Sequence, residues 1–180
     1  MPTMINPLRY PGAKRSLTNY IEALLQANHL EGCTFLEPYA GSAAVGLELL
    51  QRNRIDRLVL CEKDILIYAF WECVFRDTDI LCETIENVDV SIDTWLALQR
   101  YREMTTLEEA PLPELAYAGL FFNRTNFSGI LKANPIGGIN RRRNIPSTAA
   151  STSRNSSGSS VTWPRITTAL RSAAMTRCSS

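Results

Sequence analysis

Two short segments in the first third of the chain combine residue types that suit a nucleotide-like ligand. Gly41 lies in a run of small residues, and Glu62 follows a short apolar run. A glycine turn after a strand lets the backbone approach a ligand closely, and an acid that ends the neighbouring strand can accept hydrogens from both ribose hydroxyls of an adenosine-containing cofactor. A packing turn and a solvated carboxylate explain the two residues about as well, so the pair alone leaves both interpretations open.

The hydrophobic pattern predicts elements that place these residues together. The spacing of apolar residues indicates an amphipathic helix over 16–28, a buried strand over 33–37, a helix that begins near Val45, and a second strand over 57–61. This order is typical of a βαβ unit at the start of a parallel sheet, and it puts Gly41 and Glu62 beyond the carboxyl ends of the strands. Further helices are predicted over 64–76, 79–88, 91–103 and 112–123, the third of them capped by Ser91 or Asp93.

Composition excludes several classes of protein. The chain is 45% hydrophobic and 21% charged, which is a globular mixture. No stretch approaches the roughly 18 consecutive apolar residues of a membrane helix, and the N-terminus lacks an apolar signal core, so we expect a cytoplasmic protein without a membrane partner. Five cysteines without a C-x-x-C pair, and a single histidine, His29, argue against a disulfide framework, a zinc site and a Ser-His-Asp site.

The charges are divided unevenly along the chain. Residues 1–114 carry 10 basic and all 18 acidic residues, a net charge of −8, whereas residues 115–180 carry nine basic residues and no acid. Clustered positive charge is typical of a surface that contacts nucleic acid, although a solvated basic tail has the same composition. From Arg141 to Ser180 the chain is rich in Ser, Thr and Arg without periodicity, so we expect residues 141–180 to be mostly disordered.

Three segments together resemble the Dam-type, D12-class adenine-N6 DNA methyltransferases. They are YPGAK at 10–14, FLEPYAGSA at 35–43 and FFNRTNFSG at 121–129, and their order and spacing also match the family from about residue 6 to 140. The resemblance implies an α/β fold of the class I S-adenosylmethionine-dependent type, which has a Rossmann-like parallel sheet and a helical target-recognition insertion. It divides the chain into the start of a cofactor-binding domain (1–76), a helical DNA-contact region (77–140) and the tail.

The resemblance also implies roles for individual residues around S-adenosylmethionine. Tyr10 is similar to an aromatic residue that borders the cofactor, and Lys14 to a lysine that pairs with its methionine carboxylate. Glu62 matches the ribose-binding acid, with Asp64 as a nearby competitor. The family's cofactor loop is matched in this chain by Glu37, Pro38, Tyr39 and Gly41. The family often has a second glycine where this chain has Ala43, so we expect a negative φ at Ala43.

The later segment resembles a family stretch that lies near double-stranded DNA. Arg124 and Lys132 are predicted to meet phosphates, and Asn126 and Phe127 to approach bases or fill gaps in the duplex. The adjacent Phe121 and Phe122 continue an apolar helical stripe and are expected in the core. The resemblance implies no metal site.

The chain lacks one motif on which the family's chemistry depends. The amino group of adenine is a poor nucleophile, and the family supplies an Asp-Pro-Pro-Tyr motif to accept its hydrogens. This sequence has no adjacent prolines and no acid after Glu114. We therefore expect a fold that is incomplete at the C-terminus, from truncation or a changed reading frame after about residue 140. The alternatives are a non-catalytic DNA- or S-adenosylmethionine-binding fragment that acts with a complementing chain, and a nucleotide-binding enzyme of another chemistry.

Overall fold

The first part of the fold is a βαβ unit preceded by a helix. The computed structural model describes residues 6–9 and 14–139, so the predictions for Tyr10 and for the tail at 141–180 lie outside the described residues. The elements are helices α1 (Thr18–Ala27), α2 (Ala44–Gln51), α3 (Ile65–Arg76), α4 (Thr78–Asn87), α5 (Ile92–Leu98) and α6 (Leu112–Thr125), with strands β1 (Cys33–Pro38) and β2 (Ile55–Cys61) on either side of α2. Short 3-10 turns cover Lys14–Leu17, Gln99–Glu103, Leu107–Glu109 and Phe127–Gly129.

The two strands are parallel, as the sequence predicts, and they end together. Phe35 pairs with Leu58, and Pro38, the last residue of β1, pairs with Cys61, the last residue of β2. The segments that follow the two strands therefore leave the sheet side by side. Within the described residues the sheet contains only β1 and β2, so a larger Rossmann-like sheet stays a prediction.

The described residues form two apolar clusters, and the larger of them, the main core, joins β2 to the helices that follow it. Side chains such as Leu47, Phe70, Leu81, Trp95 and Phe121 belong to one buried cluster. A Cβ at the position of Gly119 would lie 2.5 Å from the carbonyl oxygen of Leu66, so the glycine lets α6 pack closely against α3. The core therefore runs without a break across the predicted boundary between 76 and 77.

The observed helices follow the predicted ones closely, with one correction. The helix predicted over 91–103 is α-helical only to Leu98 and continues as a 3-10 turn to Glu103. Ser91 caps it, because its hydroxyl oxygen accepts a 3.0 Å hydrogen bond from the amide of Thr94. Phe121 and Phe122 are both fully buried, as expected.

Candidate functional site

The turn after β1 is held against the acid that follows β2. The amide of Gly41 donates a 2.8 Å hydrogen bond to Oε2 of Glu62. The carbonyl of Gly41 accepts a 2.8 Å hydrogen bond from the buried indole of Trp71, on α3. The carbonyl of Ser42 accepts a 2.7 Å hydrogen bond from the side chain of Asn6. These contacts fix the turn because each satisfies a backbone group that no helix or strand partner reaches.

Glu62 already serves several backbone amides. Its Oε1 accepts hydrogen bonds from the amides of Lys63 and Asp64, at 2.8 and 2.9 Å, in addition to the contact from Gly41 to Oε2. A carboxylate has about four acceptor positions, so about one is left for a ligand hydroxyl. Binding both ribose hydroxyls would require Glu62 to release at least one amide.

Asp64, the competitor for the ribose role, caps a helix. Its Oδ1 accepts hydrogen bonds from the amides of Leu66 and Ile67, at 3.0 and 3.3 Å, at the start of α3. Asp64 thus satisfies amides that have no partner inside the helix. These bonds occupy only Oδ1 of Asp64, whereas both oxygens of Glu62 accept amide hydrogens, so hydrogen bonding does not decide between the two acids as the ribose ligand.

Glu37, in β1 just before the turn, is bonded to the start of α2. Oε2 of Glu37 accepts a 2.8 Å hydrogen bond from the amide of Gly46, in the first turn of α2. A Cβ at Gly46 would lie 2.4 Å from Cδ1 of Leu58 and 2.6 Å from this oxygen, so a larger residue there would require both side chains to shift. Burial raises the pKa of the Glu37 carboxyl, while the Gly46 amide and the positive charge of Lys14 act in the opposite direction. Lys14 is exposed, and its positive charge acts on the Glu37 carboxyl.

The remaining loop residues are exposed or strained. Pro38 and Tyr39 are exposed, and the Tyr39 side chain is 78% accessible. Ala43 has a φ of 49°, so the expectation of a negative φ there is wrong. The hydrogen bond from the Ala43 amide to the carbonyl of Ala40 keeps this turn tight, and the left-handed conformation at the start of α2 is the result. Left-handed backbone at a non-glycine residue is sparsely populated and is concentrated at functional sites.

The loop after α6 is organised by a buried asparagine. Asn126 is fully buried; its Oδ1 accepts a 2.7 Å hydrogen bond from the indole of Trp95. Its Nδ2 donates to the carbonyls of Ile130 and Leu131, at 3.1 and 2.8 Å. The side-chain amide of Asn126, which was predicted to contact bases, therefore holds the loop in shape. A contact between Asn126 and a base would require these hydrogen bonds to break.

The tip of this loop is open to solvent. Phe127 is 68% accessible, Ile130 is 48% accessible, and Lys132 is exposed beside them. An exposed aromatic ring next to an aliphatic side chain and a cation is an arrangement that suits unstacked bases and phosphates. Phe127 and Lys132 are therefore accessible, and their contacts with DNA stay a prediction.

Arg124 differs from these residues because it is buried. Its side chain is 1% accessible, and among the described residues Nε and Nη2 have no hydrogen-bond partner. Burial and, to a smaller extent, the positive charge of Arg9 lower the pKa of Arg124 to about 9. A phosphate contact by Arg124 stays a prediction, and it requires the DNA to approach a guanidinium that lies inside the protein.

A cavity joins the two candidate segments. It has a volume of about 470 Å³ and is lined by Glu62 and Asp64 after β2, by Arg102 and Thr105, and by Lys132 of the loop. This volume is within the range of about 300–1,000 Å³ that is typical of small-molecule sites. Gly41, Lys14 and Glu37 do not line this cavity. Gly41 is joined to Glu62 by a hydrogen bond, and the positive charge of Lys14 acts on the Glu37 carboxyl.

Arg102 is a residue of this site that sequence reasoning missed. Its Nη2 donates to the carbonyls of Leu131 and Ala133, and its guanidinium lies 5.4 Å from the ring centre of Trp95 and 4.9 Å from that of Phe122. Arg102 therefore holds the loop after α6 in place through hydrogen bonds and cation–π contacts. Trp71 and Asn6 were missed as well. No local pattern marks these residues, because their partners are distant in the sequence.

Two other kinds of site are not found in the described part of the chain. No group of three or more His, Cys, Asp or Glu side chains among these residues is arranged to hold a metal ion. None of the described helices has the length and apolar character required to cross a membrane.

Comparison with known proteins identifies a family for most of the chain. The model of the D12 class N6 adenine-specific DNA methyltransferase family matches residues 10–151. This match includes the turn after β1, Glu62, the cavity and the loop after α6. No curated protein matches the chain.

Proposed function

This chain belongs to the D12 class N6 adenine-specific DNA methyltransferases, and we propose that its described part holds the S-adenosylmethionine and DNA sites of such an enzyme. The observation that carries the proposal is the hydrogen bond between Gly41 and Glu62, which joins the turn and the acid that the family resemblance assigns to the cofactor. The cavity supports it, because the same acid shares that space with Lys132 of the DNA-contact loop.

The residues present suit an adenosyl amino-acid ligand. Glu62 keeps about one acceptor position for a ribose hydroxyl. Lys14 is an exposed cation and is suited to the ligand's carboxylate, and the exposed ring of Tyr39 borders the turn. When bound, S-adenosylmethionine supplies an electrophilic methyl group. Glu37 fixes the start of α2 behind the turn, as its contact with the Gly46 amide indicates.

On the DNA side we assign separate tasks to exposed and buried residues. Phe127 presents its ring to an unstacked base, and Lys132 pairs with a phosphate of double-stranded DNA. Asn126 holds the loop in shape through the carbonyls of Ile130 and Leu131. Arg124 offers its two unpartnered nitrogens to a phosphate that reaches it when the loop moves.

The family's reaction transfers a methyl group to N6 of adenine in DNA, and that step needs an acceptor for the amino hydrogens. The 180 residues contain no Asp or Glu after Glu114 and no adjacent prolines from which the family's acceptor motif is built. We propose that this chain alone binds both ligands without transferring the methyl group. A tritium-transfer assay on unmethylated duplex DNA, run beside DNA-binding measurements, tests this: we expect binding without incorporation. Incorporation above background contradicts the proposal that the chain is catalytically incomplete.

A further inference from the structure

We propose that Asn123 is a positioning residue that couples the cofactor side of the site to the DNA-contact loop, and that it acts through residues 6–9. The inference rests on the proposed function, because it concerns how the two proposed ligand sites influence each other. In this proposal Asn123 itself contacts neither S-adenosylmethionine nor DNA.

The side chain of Asn123 bonds to both backbone groups of Arg9. Its Oδ1 accepts a 2.7 Å hydrogen bond from the amide of Arg9, and its Nδ2 donates a 2.6 Å hydrogen bond to the carbonyl of Arg9. The same Nδ2 donates to the carbonyl of Gly129, at 3.1 Å. Asn123 is fully buried, so these three bonds use one acceptor and both amide hydrogens without competition from water. Only a carboxamide of this length provides that combination.

The segment that Asn123 holds is fixed at its other end to the turn after β1. Asn6 donates a 2.7 Å hydrogen bond to the carbonyl of Ser42, and its Oδ1 accepts a 3.0 Å hydrogen bond from the amide of Leu8. Leu8 is 4% accessible and belongs to the main core. Four residues thus join the turn that carries Gly41 to the end of α6, and Arg9 directly precedes Tyr10 in the chain.

The loop also approaches Arg9 closely at Gly129. Gly129 has a φ of 73°, and a Cβ at its position would lie 2.8 Å from the carbonyl oxygen of Arg9. A shift of the loop on DNA therefore moves Arg9 through Gly129 and Asn123, and residues 6–9 transmit the shift to the turn. Coupling of this kind is reciprocal, so each ligand must change the affinity for the other by the same factor.

The coupling is measured as the ratio of two dissociation constants. Calorimetric titration gives the Kd of S-adenosylhomocysteine with and without a saturating unmethylated duplex, for the wild-type chain and for Asn123→Ala. We expect the duplex to change the wild-type Kd by about fivefold or more. In Asn123→Ala the ratio should approach one, because the link through Arg9 is lost.

Two control variants separate positioning from a loss of stability. Asn28→Ala makes the same chemical change at an exposed asparagine at the end of α1. Ile85→Val removes one methylene from the main core in α4 and lowers Tm without touching residues 6–9. Both should keep the wild-type ratio. If Asn123→Ala fails to fold by circular dichroism, Gly129→Ala disturbs the same contact from the loop side and should also lower the ratio.

The outcomes distinguish this inference from the proposed function. A wild-type chain that binds both ligands with a ratio of one overturns the coupling and leaves the proposed function intact. An unchanged ratio in a folded Asn123→Ala also overturns it, as does an equal loss of ratio in Ile85→Val. A wild-type chain that binds neither ligand overturns the inference and the proposed function together.

Discussion

The amide of Gly41 donates a 2.8 Å hydrogen bond to Oε2 of Glu62 and so joins the ends of two parallel strands. The pairing of Pro38 with Cys61 explains the contact, because it brings both strands to an end at the same level. Two residues that the sequence alone leaves as a weak pair are therefore one structural unit.

Two tryptophans support the two segments separately, and matched substitutions should separate their effects. Trp71 donates from its indole to the carbonyl of Gly41, whereas Trp95 donates to the side chain of Asn126. Trp71→Phe should weaken binding of S-adenosylhomocysteine by about fivefold, because one lost hydrogen bond corresponds to about 1 kcal/mol. DNA binding measured without the cofactor analogue should not change. Trp95→Phe should weaken DNA binding by a similar factor and leave binding of the cofactor analogue intact. Equal effects of both variants on both ligands would contradict this assignment.

Phe127 should contribute to DNA affinity without contributing to stability. Its ring is 68% accessible, so Phe127→Ala removes little packing. Stacking of one base on an aromatic ring contributes about 1–3 kcal/mol, so we expect a loss of DNA affinity of roughly tenfold with an unchanged Tm. Tyr20→Ala is the matched control, because Tyr20 is an equally open aromatic residue, 65% accessible, on α1. Fluorescence anisotropy with a labelled duplex measures both; an equal loss in the two variants would count against a specific role for Phe127.

Arg124 should lower the stability of the chain in the absence of DNA. Two of its side-chain nitrogens are buried without a hydrogen-bond partner in the part of the chain that the structure describes, and leaving such groups unpaired costs about 1–3 kcal/mol. Arg124→Met keeps a long apolar side chain and removes the buried charge, so we expect a higher free energy of unfolding and weaker DNA binding. Urea denaturation measures the first and anisotropy the second. A less stable Arg124→Met variant would show that the guanidinium has a partner in solution.

Glu37 should make stability depend on pH in a defined direction. Burial raises the pKa of its carboxyl above the ordinary value of 4.5, so the folded state binds the proton more tightly than the unfolded state. That stabilising contribution is complete below the unfolded pKa and is lost as the pH rises through the folded pKa. Glu37→Gln keeps an oxygen for the Gly46 amide and does not titrate. The Tm of Glu37→Gln relative to wild type should therefore increase as the pH rises above about 4.5. A constant difference across that interval would rule out a raised pKa.

The regular elements could be predicted because their signals are local. Periodic apolar residues mark α1 and α3, and the short apolar runs that include Phe35 and Leu58 mark the two strands. Residues that end a strand can also be found from the sequence, since their place follows from the element. This explains why Gly41 and Glu62 could be singled out, and why the family motif around them could be recognised.

The supporting contacts could not be predicted because they join distant parts of the chain. Asn123 bonds to Arg9 across 114 positions, and Trp71 bonds to Gly41 across 30. The burial of Asn126 and the positive φ of Ala43 are likewise results of packing around a turn or loop, and a residue's type gives no sign of them. Residues such as Gly41 and Glu62 could therefore be proposed from the sequence, whereas the distant residues that hold them could not.

The central claim is that the turn after β1 and the carboxylate after β2 together form a cofactor site. Calorimetric titration of S-adenosylhomocysteine into wild type, Glu62→Ala and Glu31→Ala tests it most directly, because Glu31 is an exposed acid just before β1, at the opposite end of the same strand. We expect heat of binding from wild type and Glu31→Ala and a loss of affinity of at least tenfold in Glu62→Ala, consistent with about 1.4 kcal/mol or more from hydrogen bonds to a charged group. Equal affinity in all three proteins, or no binding by the wild-type chain at millimolar ligand, would contradict the claim.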